Sequence, residues 1–73
     1  MKITYHKKID LLYIRFDETP QPVSNDRVSE DIVLDVGDKE KIVGIEIMNT
    51  SDHVDLKSLS SVQIEIMEAT NGD

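Results

Sequence analysis

Residues 32–47 read IVLDVGDKEKIVGIEI, and this stretch decides the fold. Apolar residues alternate with polar or small ones on both arms, and a short charged stretch separates the arms. This pattern is typical of a β-hairpin. The predicted register places branched aliphatic residues together on one face, as the pairs Ile32 with Ile47, Leu34 with Ile45 and Val36 with Val43. A slip of one residue would move the apolar side chains of one arm to the other face, so this register is strongly favoured.

The centre of this hairpin, Lys39-Glu40, is a poor two-residue turn. A type I′ turn needs positive φ at both central residues and favours Asn-Gly or Asp-Gly. We therefore expect a looser loop over Asp38 to Lys41, mobile at its tip.

A second hairpin is predicted near the N-terminus. Ile3 and Tyr5 alternate with polar residues, and residues 11–16 form another alternating stretch. Pairing Tyr5 with Leu12 and Ile3 with Ile14 places the apolar side chains on one face, where cross-strand contacts stabilise the sheet.

The remaining stretches carry weaker signals. Pro20 and Pro22 exclude a central strand or a helix interior over residues 17–29, which predicts a loop or an extended edge. A short helical turn is expected after Asp55. The alternation from Val62 to Ile66 predicts a further strand, and a single helix over residues 55–69 is the alternative.

These elements predict a mainly β (α+β) fold. It consists of a single twisted antiparallel sheet of four to five strands in two hairpins, with one short C-terminal helical turn. Residues 1–67 are expected to form one β-rich domain, and residues 68–73 a disordered tail. One short helix is too small to cover the apolar face of such a sheet, so we expect a homodimer or a higher oligomer.

Composition limits the classes of function. The chain has 73 residues and a net charge of −7, from 15 acidic and 8 basic residues. This excess of acidic residues disfavours nucleic-acid binding. It favours a basic protein over an acidic one as a binding partner. The sequence has no cysteine, no apolar run long enough to span a membrane and no signal-peptide core, so we expect a cytoplasmic protein with no membrane association.

Three segments resemble a known family. They are KITY at residues 2–5, DLLYIRF at residues 10–16, and IVLD at 32–35 followed by IVGIEI at 42–47. Together they are similar to a family of small prokaryotic proteins catalogued as a domain of unknown function, over about residues 2–49. The resemblance implies a compact β-rich domain with no established activity and no catalytic residues to transfer. Relatives usually have Asp-Gly where this chain has Lys39-Glu40.

Four residues are candidates for chemistry if a site exists. Asp35 and Glu46 lie on one face of the hairpin, on adjacent strands and diagonal to each other, so they could share a proton or act as acid and base. His53 lies in a turn cluster with Asp52 and Asp55, but the spacing matches no defined metal site. His6 lies on the outer face of the first hairpin. A structural ion pair or a solvated surface is the preferred interpretation of these residues.

The sequence therefore predicts a non-catalytic, self-associating protein-interaction module. A sharper version is an antitoxin-like protein that binds a small basic partner. The alternative is a small enzyme or metal-binding protein with a carboxylate and histidine site at a subunit interface. No catalytic residue, cofactor or metal ligand is assigned.

Overall fold

The computed structural model describes residues 1–68 as a five-stranded antiparallel sheet. The strands are β1 (Lys2–His6), β2 (Leu11–Arg15), β3 (Ser24–Arg27), β4 (Ile32–Val36) and β5 (Ile42–Ile47). Their order across the sheet is β1-β2-β5-β4-β3. Helical structure in the described residues is limited to two short 3₁₀ turns, Thr50–Asp52 and Leu56–Ser60. Asp38–Glu40 has a 3₁₀-type hydrogen bond, but its backbone angles are not helical. The predicted mainly β fold is confirmed.

The hairpin that decides the fold pairs β4 with β5. The register matches the predicted one at Ile32 with Ile47, Val33 with Glu46, Leu34 with Ile45 and Asp35 with Gly44. The last predicted pair is wrong, because Val36 lies opposite Ile42 rather than Val43. A register shift between Asp35 and Val36, as in a β-bulge, inserts the extra residue.

The N-terminal hairpin has the predicted pairs, Tyr5 with Leu12 and Ile3 with Ile14. Strand β2 then pairs with β5, with Ile14 opposite Ile45. Both hairpins therefore direct most of their aliphatic residues to the same side of the sheet, whereas Leu11 and Val33 lie on the other side. We call this side the apolar face: Ile3, Tyr5, Leu12, Ile14, Ile32, Leu34, Ile45 and Ile47.

The turn between β4 and β5 is tighter than expected. Lys39 and Glu40 have φ of 56° and 60°, as both central residues of a type I′ turn do. The Lys41 amide donates to the Asp38 carbonyl at 3.2 Å, and the Gly37 amide donates to the Lys41 carbonyl at 2.7 Å. The prediction of a loose loop was wrong because this close pairing of the arms leaves only two residues to reverse the chain.

Strand β3 lies within residues 17–29, for which the sequence predicts a loop or an extended edge. It reads SNDR, has no apolar residue and is exposed throughout. It pairs only with β4 and forms one edge of the sheet. Polar edge strands are common because they discourage pairing with other chains, so the usual apolar signal for a strand is missing here.

The C-terminal region differs most from the prediction. The expected helical turn is present at Leu56–Ser60, and the Asp55 side chain accepts a hydrogen bond from the Lys57 amide at 3.1 Å. Residues 61–68 form neither the predicted strand nor the alternative helix. The strand prediction failed because alternation creates a strand only where another strand pairs with it. Apart from Glu68, the predicted tail lies outside the described residues.

No helix within residues 1–68 combines the length and the apolar content that a membrane crossing requires.

The turn offers a direct test of stored strain. Replacing Lys39-Glu40 by Asn-Gly should stabilise the fold by about 1 kcal/mol, because Asn and Gly tolerate positive φ better than Lys and Glu. For a chain of this size, 1 kcal/mol raises the melting temperature by roughly 4–8 °C. Thermal unfolding followed by circular dichroism measures this shift.

The matched control is Lys8→Gly, in the β1–β2 turn, where Asp10 is the residue with positive φ. This substitution should leave the melting temperature unchanged or lower it. Equal stabilisation by both substitutions would contradict the strain argument.

Candidate functional site

The side of the sheet opposite the apolar face carries the predicted carboxylates. Glu46 lies opposite Val33 on β4 and opposite Tyr13 on β2. Asp35 lies opposite Gly44, and is therefore diagonal to Glu46 as the hairpin register predicted. Asn25 on β3 lies opposite Asp35. We call Tyr13, Asn25, Asp35 and Glu46 the polar cluster.

Asp35 is the buried centre of the polar cluster, with 7% of its surface exposed. Its Oδ2 accepts a hydrogen bond from the Tyr13 hydroxyl at 2.9 Å. Its Oδ1 accepts one from the Asn25 side-chain amide at 2.7 Å. A buried carboxylate needs such donors because burial without them is costly. The three residues therefore form one network that links β2, β4 and β3.

Gly44 allows Tyr13 to reach Asp35. A Cβ atom at Gly44 would lie 2.5 Å from the Tyr13 hydroxyl oxygen and 2.8 Å from Tyr13 Cζ. The phenol ring therefore lies over the Gly44 backbone, in space that any other residue would occupy. Glycine within a strand commonly marks such a close approach.

Glu46 experiences an unfavourable environment for its charge. Partial burial and then the neighbouring Asp35 carboxylate raise the pKa of Glu46, whereas the Arg27 guanidinium opposes this rise. Burial and the hydrogen bond to Asp35 likewise raise the pKa of Tyr13. The polar cluster thus holds two nearby carboxylates, of which Glu46 has a raised pKa.

The two histidines do not join the polar cluster. His6 lies on the edge strand β1 opposite Leu11, two strands away from Glu46. His53 Nε2 lies 2.8 Å from Asp31 Oδ2 in the segment after β5. Within the described part of the chain, no three metal-binding side chains converge. The structure therefore brings together Asp35 and Glu46 only.

A junction at one end of the sheet was missed by sequence reasoning. The Asp10 carboxylate accepts hydrogen bonds from the Tyr5 hydroxyl at 2.7 Å and from the Ser51 hydroxyl at 2.6 Å. The Asp10 carbonyl accepts one from the Thr50 amide at 3.0 Å, and Thr50 is fully buried. These contacts attach the segment after β5 to the β1–β2 turn.

Asp31 attaches the same segment to the other hairpin. Its carbonyl accepts a hydrogen bond from the Met48 amide at 2.8 Å, and its carboxylate accepts one from the Asn49 amide group at 3.1 Å. The bond with His53, followed by that with Asn49, lowers the pKa of Asp31, and the bonds with Ser51 and Tyr5 lower the pKa of Asp10. A lowered pKa means that this stabilisation is present above the ordinary pKa of aspartate and is lost as the pH falls through the lowered value.

Two open clefts lie beside the loop that follows β2. Their volumes are about 480 and 580 Å³. The first is lined by Asp17, whose pKa is lowered to about 2, chiefly by its bond to the Thr19 amide. No member of the polar cluster lines either cleft. The carboxylate pair is therefore not placed to act on a ligand held in these clefts.

Comparison with known proteins places most of the chain in one family. The model of a family described as "protein of unknown function (DUF2283)" matches residues 2–51. The chain belongs to this family, and the match includes all five strands and ends at Ser51. No curated protein and no solved structure matches the chain.

The close approach at Gly44 generates one prediction. Gly44→Ala should destabilise the fold by about 1–3 kcal/mol, because the added methyl group displaces the Tyr13 ring from Asp35. In a Tyr13→Ala background the same change should cost less, since the ring is absent. Urea unfolding of the four proteins measures the coupling, and equal costs in both backgrounds would contradict the role given to Tyr13.

Glu46 generates a second prediction. Its raised pKa means that the folded state binds more protons than the unfolded state between the ordinary and the raised value, so ionisation above that range destabilises the fold. Glu46→Gln should therefore raise the melting temperature at pH 7 by about 2–4 °C, the shift for roughly 0.5 kcal/mol. The gain should shrink as the pH falls toward 4, because wild-type Glu46 is then protonated.

Glu18→Gln is the matched control, since it removes the same charge from an exposed loop position. The Glu46 interpretation is wrong if both variants gain equally at pH 7, or if the gain of Glu46→Gln does not depend on pH.

Proposed function

We propose that the protein is a non-catalytic, self-associating interaction module in which a second copy covers the apolar face. The observation that carries this proposal is that the centre of that face remains partly exposed, although Leu12 on the same face is buried. Ile14, Ile45 and Leu34 lie side by side on the three inner strands, and each remains only partly buried. The central residues of a covered sheet are normally fully buried.

A second copy is the simplest partner for this face. The apolar face consists almost entirely of aliphatic side chains. A twofold axis would place it against an identical surface. Two sheets packed in this way lie about 10 Å apart with their side chains interdigitated. A basic partner protein, as for an antitoxin, is the competing occupant, and it would be attracted by the net charge of −7 rather than by the apolar face.

Sedimentation of the wild-type protein at micromolar concentration tests the proposal. We expect a dimer or higher oligomer whose affinity is unchanged or increased by salt, because apolar burial holds it together. A folded monomer would overturn the proposal. Association that weakens steeply as salt rises would also overturn it, since charged contacts would then dominate.

A pair of variants locates the interface. Ile45→Asp places a charge at the centre of the apolar face and should shift the protein to monomer. Ile9→Asp introduces the same charge at an exposed apolar residue of the β1–β2 turn and should leave the oligomer intact. Circular dichroism confirms that each variant is folded.

The polar cluster favours a second candidate function, a small enzyme or metal-binding protein with its site between subunits. Asp35 and Glu46 would then need His6, His53 or other ligands from a second copy, since the described residues of one copy bring no three such groups together. Metal analysis of the purified protein and thermal unfolding with added divalent ions test this candidate. An unchanged melting temperature together with no bound metal would remove its metal-binding form.

A further inference from the structure

The segment from Val62 to Ile66, which we call the C-terminal arm, is apolar and exposed. Val62, Ile64 and Ile66 are 54%, 67% and 86% exposed. They alternate with Gln63 and Glu65, which is the pattern of a half-buried strand. The arm lies beyond the family match, which ends at Ser51, and it belongs to no strand in the structure. Its sequence therefore fits a pairing that a single copy does not make.

Strand β1 offers an edge of matching chemistry. It pairs with β2 on one side and has no strand on its other side within the described residues. Ile3 and Tyr5 lie on the apolar face, whereas Lys2, Thr4 and His6 lie on the opposite face. The other edge, β3, consists of SNDR and offers no apolar neighbour. An arm that is apolar on one side and acidic on the other fits β1 and not β3.

We propose that the C-terminal arm of one copy pairs antiparallel with β1 of a second copy, with Ile64 opposite Ile3. This inference rests on the self-association proposed above and names the element exchanged between the copies. The register follows from alternation: Val62 then lies opposite Tyr5, and Glu65 lies opposite Lys2. Opposite charges directly across two strands stabilise a sheet, whereas a slip of one residue would place Glu65 among the apolar side chains.

A second copy fits this role better than the same chain. In the single chain the arm leaves the sheet and its apolar side chains remain exposed. Two stacked sheets lie about 10 Å apart, a distance that about three extended residues span. His53 is bonded to Asp31, and eight residues separate it from Val62. Five of these, Leu56–Ser60, form a 3₁₀ turn with a rise of about 2 Å per residue, so this chain is still long enough to cross the gap. Reciprocal exchange would cover both exposed β1 edges with one symmetric arrangement.

Cysteine cross-linking tests the register directly, because the natural chain has no cysteine. In an Ile3→Cys, Ile64→Cys variant, mild oxidation should give a covalent dimer. The matched control, Ile3→Cys with Gln63→Cys, places the second thiol on the other side of the arm. It should give about tenfold less dimer, because a disulfide requires closely approaching Cβ atoms. Mass mapping must show that residue 3 of one chain is linked to residue 64 of the other.

The outcomes separate this inference from the proposed function. A linked dimer above the control supports the exchange. A disulfide within one chain shows that the arm pairs with its own β1, and overturns the exchange. If the wild-type protein is a dimer by sedimentation but no link between residues 3 and 64 exceeds the control, the exchange is wrong and the proposed self-association stands. A wild-type monomer overturns both.

Discussion

The pairing of β5 with both β2 and β4 is the constraint on which the rest of the structure depends. Ile45 meets Ile14 on one side and Leu34 on the other, so one alternating strand sets the faces of both hairpins. The Val43 carbonyl also accepts a hydrogen bond from the Phe16 amide at 2.8 Å, which extends the pairing with β5 beyond the end of β2. Because side chains alternate along a strand, most aliphatic residues of the three inner strands lie on one face, with Leu11 and Val33 on the other. The polar cluster on the other face follows from the same alternation.

The segment after β5 completes what strand pairing begins. Thr50 and Ser51 bond to Asp10, whereas Met48 and Asn49 bond to Asp31. One short stretch therefore holds the turns of both hairpins at one end of the sheet. Hydrogen bonds accepted by an ionised carboxylate are stronger than those between neutral groups. Such bonds help to stabilise a chain that is too small to build a large core. The family match ends at Ser51 and so includes both attachments.

Sequence reasoning recovered the features that depend on alternation and missed those that depend on neighbours. The register of the N-terminal hairpin, the register of β4 with β5 from Ile32 to Asp35, and the diagonal Asp35 and Glu46 follow from the pattern of apolar residues alone. The shift that pairs Val36 with Ile42 does not. The partners of Asp35 do not, since Tyr13 reaches it only when β2 lies beside β5, and Asn25 only when polar β3 joins the sheet. Residues 62–66 also show that alternation is not sufficient. They alternate as a strand would, but no strand of the structure pairs with them. The sequence also gives only a weak indication that Asp10 has a positive φ, because aspartate is one of several residue types that tolerate this conformation.

The acidic composition and the exposed apolar face are compatible, because the sheet separates them. Among the strand residues on the apolar side, Asp26 on the edge strand is the only one that carries a charge. The other strand charges lie on the opposite face, and most acidic residues lie in turns and loops. Two copies packed through their apolar faces would direct the remaining strand charges outward, with both sheets between them. The net charge of −7 therefore does not oppose the proposed association of two copies through this face.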